Sequence, residues 1–291
     1  MEPIFDSSLL LARKWRALSR GEEGSDFLMR RTAEELAERL ATVERRFKHA
    51  ATLFCLTAHA ADALRESGKA EKLLRVENDE RLLSGPYEGI AAPYETVPLA
   101  TESLDLAVSL LTMQEMNDLP GLLVQIRRAL KPDGLFLGAM AGAGTLQELR
   151  QSLLEAEMEL SGGASPRIIP FVDVRDAGAL LQRAGFALPV ADIEPVTVRY
   201  PTMFELMRDL RAMGATNSLM ERSRRPATRS LFLRAAEIYR ERFSDPDGRI
   251  RASFNIVWMS GWAPHASQQK PLRPGSAKVS LKTVLSPGTG D

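Results

Sequence analysis

Leu104-Asp105-Leu106-Ala107-Val108-Ser109-Leu110 is a short, mostly apolar run with polar residues before it. A helical stretch over 119–130 follows, with Leu122, Leu123, Ile126 and Leu130 on one side. Then come the turn Lys131-Pro132-Asp133-Gly134 and a second apolar run, Leu135-Phe136-Leu137-Gly138-Ala139-Met140. Within the turn, Pro132 presets one backbone dihedral and Gly134 tolerates the left-handed one. Strand, helix, turn and strand in this order predict a parallel pair joined by a helix.

The alternation continues outward in both directions. Upstream, 51–56 is a short apolar run, Thr57 is the expected N-cap of an Ala-rich helix through Leu64, and Gly68 ends that helix. Residues 72–76 form the next expected strand. Downstream, helices are expected near 146–160 and 173–184, the second ending at Gly185, with strand-like residues over 188–194. A helical excursion follows at 203–213 and 228–240, then a last strand over 253–259, placed as a reversed, edge-inserted strand would be. The fold class predicted is α/β, a mostly parallel sheet with helices on both faces. Residues 1–46 read as an N-terminal helical segment whose Phe27, Leu28, Leu36 and Leu40 make an apolar face. The main domain is expected over 47–262, with the helical insertion at about 200–245. From 263 to 291 the chain is rich in Pro, Gly and Ser, and a flexible tail is expected.

Composition narrows the function classes. The 291 residues carry 38 Lys+Arg and 38 Asp+Glu, a formal net charge of zero, so no global pull toward nucleic acid is expected. No apolar run approaches the roughly 18–20 residues of a membrane span. Glu2 and Asp6 precede Leu9-Leu10-Leu11, which suits neither a secretory signal nor a transit peptide, so a cytoplasmic protein is expected. Cys55 is the single cysteine and excludes an internal disulfide. It lies in an apolar stretch and reads as a small buried hydrophobe. His49, His59 and His265 show no metal-binding spacing, so no metal site is expected. Met203, Met207 and Met213 read as one core face. The basic run 221–226 reads as a solvated loop.

Several motifs carry a family resemblance. Val97-Pro98-Leu99, Ser103-Leu104-Asp105-Leu106-Ala107-Val108 and Leu130-Lys131-Pro132-Asp133-Gly134 are similar to successive segments of class I S-adenosylmethionine (SAM)-dependent methyltransferases, a Rossmann-like fold. More specific are Ile4-Phe5-Asp6, Asn117-Asp118-Leu119-Pro120, Gly138-Ala139-Met140 and Gly144-Thr145-Leu146. The block from Tyr200-Pro201-Thr202-Met203-Phe204-Glu205 to Asn217, and Gly275-Ser276-Ala277, add to them. Together they resemble the respiratory complex I assembly factor branch of that superfamily, whose mitochondrial member is associated with arginine hydroxylation of a complex I subunit. The resemblance implies SAM as cofactor and a complex I subunit as protein partner.

In such sheets ligands sit beyond the strand carboxyl ends, at the topological switch point. The family's loop there reads acid-Leu-Gly-Cys-Gly-x-Gly; this chain has Thr52-Leu53-Phe54-Cys55-Leu56-Thr57-Ala58. The acid has become Thr52, and the glycines have become Phe54, Leu56 and Ala58, whose side chains obstruct the approach glycine allows. Glu77 stands where a ribose-binding acid is expected, about twenty residues beyond the loop. Counting five back from Pro98, the adenine-side acid is replaced by Pro93, with Glu95 two residues on. Gln114-Glu115 replaces the branch's His-Trp pair. The candidate cofactor contacts are therefore Thr57, Ala58, Glu77 and Glu95, and no catalytic residue is assigned. Two functions follow: a SAM-fold protein acting on or holding a protein partner, or a pseudoenzyme scaffold that does not bind SAM, with the 200–245 insertion holding the partner. SAM binding would support the first and its absence the second; changes on both sides of the pocket predict that SAM binds weakly or not at all.

Overall fold

The structure, a computed structural model, describes residues 2–83 and 85–269. The two runs that frame the βαβ unit are strands: β4 (Leu104–Leu110) and β5 (Leu130–Ala141) pair in parallel through α4 (Leu119–Ala129). Asp118 caps α4 by accepting from the Gly121 N–H, and Pro120 occupies the first turn, where its missing N–H costs nothing. β5 is longer than expected because it begins before the Pro132–Gly134 turn instead of after it. Asp133 takes the left-handed conformation there, and its N–H bonds Ala263 O.

The remaining elements are α1 (Ser7–Arg20), α2 (Phe27–Ala41), β1 (Phe47–Leu53), α3 (His59–Glu66), β2 (Ala70–Glu77), β3 (Glu88–Ala91), α5 (Gln147–Ser161), α6 (Val174–Arg183), β6 (Ala187–Tyr200), α7 (Met203–Ala212), α8 (Arg229–Phe243) and β7 (Ile250–Trp262). They build a seven-stranded sheet in the order β3-β2-β1-β4-β5-β7-β6. β1 to β5 are parallel, and β7 runs antiparallel between β5 and β6. The reversed last strand is thus as expected, inserted inside the edge. β3 was not foreseen: four residues containing Gly89 give no apolar signal. β6 extends well past 194 because β7 pairs with it as far as Tyr200.

Alternate strand residues feed two layers. Leu53, Ala107, Phe136 and Met140 pack under α4 and α6, while Leu106, Val108, Leu137 and Ala139 pack under α2 and α3. Leu36 and Leu40 of α2 enter the second layer fully buried. A third cluster joins α5, α7 and α8 to the ends of β6 and β7, with Met203, Leu206, Ala235 and Phe254 at its centre. Ala263 is buried, and Gln268 donates to Asp133 and to Ala263 O. Residues 270–291 of the expected tail, with Gly275-Ser276-Ala277, lie outside the described residues. Among the described residues no helix is long and apolar enough to cross a membrane.

Candidate functional site at the strand carboxyl ends

β1 lies between β2 and β4 and is entered by crossovers from opposite directions, so a crevice opens beyond its carboxyl end. The chain there follows the path of a glycine loop without the glycines. Phe54 has φ 54° and Leu56 φ 65°, the left-handed region. That conformation costs a residue with a Cβ about 1–2 kcal/mol, and surrounding contacts hold it. The Phe54 N–H donates to Val76 O, and Phe54 O accepts from the Thr112 hydroxyl. The ring of Phe54, 1% exposed, stacks on Tyr94 with centroids 5.7 Å apart and planes 13° from parallel.

Glu77, the expected ribose acceptor, is equally buried. Its carboxylate accepts from the Leu56 N–H at 3.2 Å and from the Arg75 guanidinium at 3.2 Å. Burial pushes its pKa up to about 7, against the pull of Arg75 and the loop N–H groups. Glu95, also at positive φ, spends its carboxylate on the Asn117 N–H, and its carbonyl accepts from Gln125. Pro93 is exposed. Ala58, rather than Thr57, occupies the N-cap of α3, and makes no side-chain cap hydrogen bond. Thr57 Oγ1 is buried with no hydrogen-bond partner.

SAM is the cofactor this fold implies. Its nucleoside needs open space after β1 and a carboxylate on β2 with free lone pairs. Phe54 and Tyr94 fill the first, and the carboxylate is buried with Arg75 and the Leu56 N–H already on it. The side chains present do not fit the nucleoside. Cys55 offers no alternative chemistry, because burial pushes its thiol up to about 12. Among the described residues no cluster of His, Cys, Asp and Glu is arranged for a metal.

The open part of the site lies beside this filled half. A cavity of about 500 Å³ is bounded by α1, the start of α2, Leu56 and Thr57, the segment after β4 and the turn after α7. Its walls are mostly apolar, with Leu18, Met29, Ile168 and Phe254 among them. Lys14 of α1 and Glu115 of the 3-10 turn Met113–Glu115 form a buried ion pair of 2.5 Å in its wall, both side chains 5% exposed. Neither was singled out as a contact from sequence, since Glu115 registered only as a departure from His-Trp. Lys14 reads as one more helical cation, and no sequence signal brings 14 and 115 together. Met213 also lines the cavity, so the methionine face expected to be all core is partly wall.

The motifs spread along the chain converge here. Asn117 Oδ1 accepts from the N–H groups of Ile4 and Phe5, each at 2.8 Å. Phe5 bridges to Leu219, Asp6 pairs with Arg222 at 3.0 Å, and Arg13 donates to Asn217 O. Asn217 in turn donates to Pro166 O at 2.8 Å. The N-terminal segment is thereby fastened across the crevice, linking the β4 side to the insertion. Arg222 of the basic run is used in this fastening and is not a free loop charge.

Residues 36–138 match the model of a methyltransferase domain. Arginine-hydroxylase NDUFAF5, mitochondrial, of Danio rerio is 39% identical over 285 residues, covering 96% of this chain and 88% of that protein. Its Homo sapiens counterpart is 40% identical over 287 residues, covering 96% and 82%. A malonyl-[acyl-carrier protein] O-methyltransferase of Methylovorus sp. is 31% identical over 264 residues, covering 86% of each chain. Among solved structures, the YcgJ protein from Bacillus superposes with a TM-score of 0.53 at 15% identity, covering 80% of this chain and 99% of that one.

Proposed function

This chain belongs to the methyltransferase-fold branch of the arginine-hydroxylase NDUFAF5 proteins, the complex I assembly factors, and we propose that it receives an arginine-bearing segment of a complex I subunit in the cavity above the strand ends. One observation carries the reading: a mostly apolar cavity of about 500 Å³ with a buried Lys14–Glu115 pair in its wall. Ligand sites combine apolar walls with a few placed polar groups that set orientation. The stem of an arginine lies along walls such as Leu18 and Met29, and the Glu115 oxygen not paired with Lys14 accepts from its guanidinium. Thr57 Oγ1, buried without a partner, offers a further acceptor. Holding the segment needs only the open half of the site, so SAM is not required for this step. The cytoplasmic placement expected from sequence belongs to the same proposal.

The test is capture with a photo-crosslinking residue at Leu18 in cells that assemble complex I, followed by mass spectrometry. A complex I subunit, crosslinked near an arginine, is the expected product. Glu115→Gln should lower its yield about tenfold, the scale of a lost charge-assisted hydrogen bond. Recovery of no complex I subunit, or undiminished capture by folded Glu115→Gln, would overturn the assignment.

A further inference from the structure

We propose that Phe54 is a built-in occupant of the nucleoside position, so that this chain engages its partner with no SAM bound. The proposal stands on the strand ends alone and does not depend on which partner the cavity takes. Three features bear on the position, and the Phe54 ring is the one that fills it. The Phe54 ring lies buried, face to face with Tyr94, where an adenosine would otherwise stack. The Tyr94 face is already covered by an aromatic ring, and an intramolecular ring meets no loss of translational freedom. The loop cannot simply swing aside, because Phe54 is tied at both ends of its peptide, to Val76 O and to the Thr112 hydroxyl.

The second is at Glu77. Both oxygens of Glu77 already have donors, Arg75 on Oε1 and the Leu56 N–H on Oε2. Each oxygen keeps a second lone pair, but Glu77 is buried, so a ribose diol reaches it only by opening the packing around it. The third is on the adenine side, where Pro93 has no N–H and the Glu95 carboxylate is engaged by Asn117. The side chain of the same Asn117 holds Ile4 and Phe5 of the N-terminal segment. The loop nevertheless keeps left-handed angles at 54 and 56, the conformation in which glycine is at home. The site is plugged and its backbone is preserved.

That combination makes the site one that substitution can reopen. Isothermal titration of the full chain with SAM, S-adenosylhomocysteine and adenosine separates the outcomes. The unmodified chain is expected to show no saturable binding up to about 1 mM of each. Phe54→Gly exposes the Tyr94 face at a φ that glycine tolerates, and should gain about tenfold or more in adenosine affinity. Phe54→Gly with Tyr94→Ala should lose that gain. Phe54→Ala is the second opening variant, and circular dichroism establishes that each variant is folded. Saturable sub-millimolar binding of SAM by the unmodified chain would overturn the proposal whatever the variants do. So would folded opening variants that both fail to bind.

Discussion

The ring of Phe54 rests on that of Tyr94 at 5.7 Å, and Phe54 takes a φ of 54° to reach it. Side-chain burial and backbone strain oppose each other at one residue. The stack and the surrounding core contribute several kcal/mol, against a left-handed cost of about 1–2 kcal/mol.

Phe54→Ala should therefore destabilise the protein by about 3–5 kcal/mol in urea unfolding. Phe54→Gly removes one more carbon yet relieves the backbone. It should be no less stable than Phe54→Ala, reversing the usual order of the two substitutions. A glycine variant clearly weaker than the alanine variant would show that the loop is unstrained.

Glu77 makes stability fall with rising pH. Its folded pKa, about 7, lies above the ordinary 4.5 of the unfolded chain. Between those values the native state binds more protons, so its contribution is full below pH 4.5 and is lost as pH rises through 7. The stability difference between the unmodified chain and Glu77→Gln should decline across that window and level off above it. A difference that does not change with pH would place the carboxylate at its ordinary pKa.

Lys14 and Glu115 are buried together. Lys14→Met leaves a carboxylate in an apolar wall and should cost about 3–5 kcal/mol, whereas Lys14→Met with Glu115→Leu should recover most of that. Thermal and urea unfolding of the four members of the cycle measure the coupling. A double-variant loss equal to the sum of the two single losses would mean that the charges do not depend on each other.

Asn117 fastens the N-terminal segment. Asn117→Ala removes the acceptor shared by the Ile4 and Phe5 N–H groups, and should cost about 1–2 kcal/mol. Hydrogen exchange should quicken at 4–10 while β4 and β5 stay protected. Unchanged exchange at Phe5 would show that the Leu219 bridge suffices.

Much of the fold was legible because its signals are local. Apolar runs at 104–110 and 135–140 and the Pro132–Gly134 turn each declare themselves within a few residues. β3 escaped because its four residues carry little apolar surface and owe their extension to pairing with β2. Thr57 failed as an N-cap because the loop bends at Leu56 and delivers Ala58 to that position. Of the four cofactor contacts expected, Thr57 lines the open cavity and Glu77 lies at the filled nucleoside position. Glu95 is tied to Asn117, and Ala58 stands at the N-cap of α3 with no side-chain hydrogen bond.

By itself the sequence determined the order of strands and helices apart from β3, the family and the loss of glycine at 54 and 56, since each is written in residue type and spacing. Whether those losses close a pocket was decided by the tertiary structure, because it depends on where side chains meet. The ring of Phe54 finds Tyr94 forty residues away, Arg75 finds Glu77 on its own strand, and Lys14 finds Glu115 across the crevice. Periodicity records which face a residue takes; only the folded sheet brings those faces together.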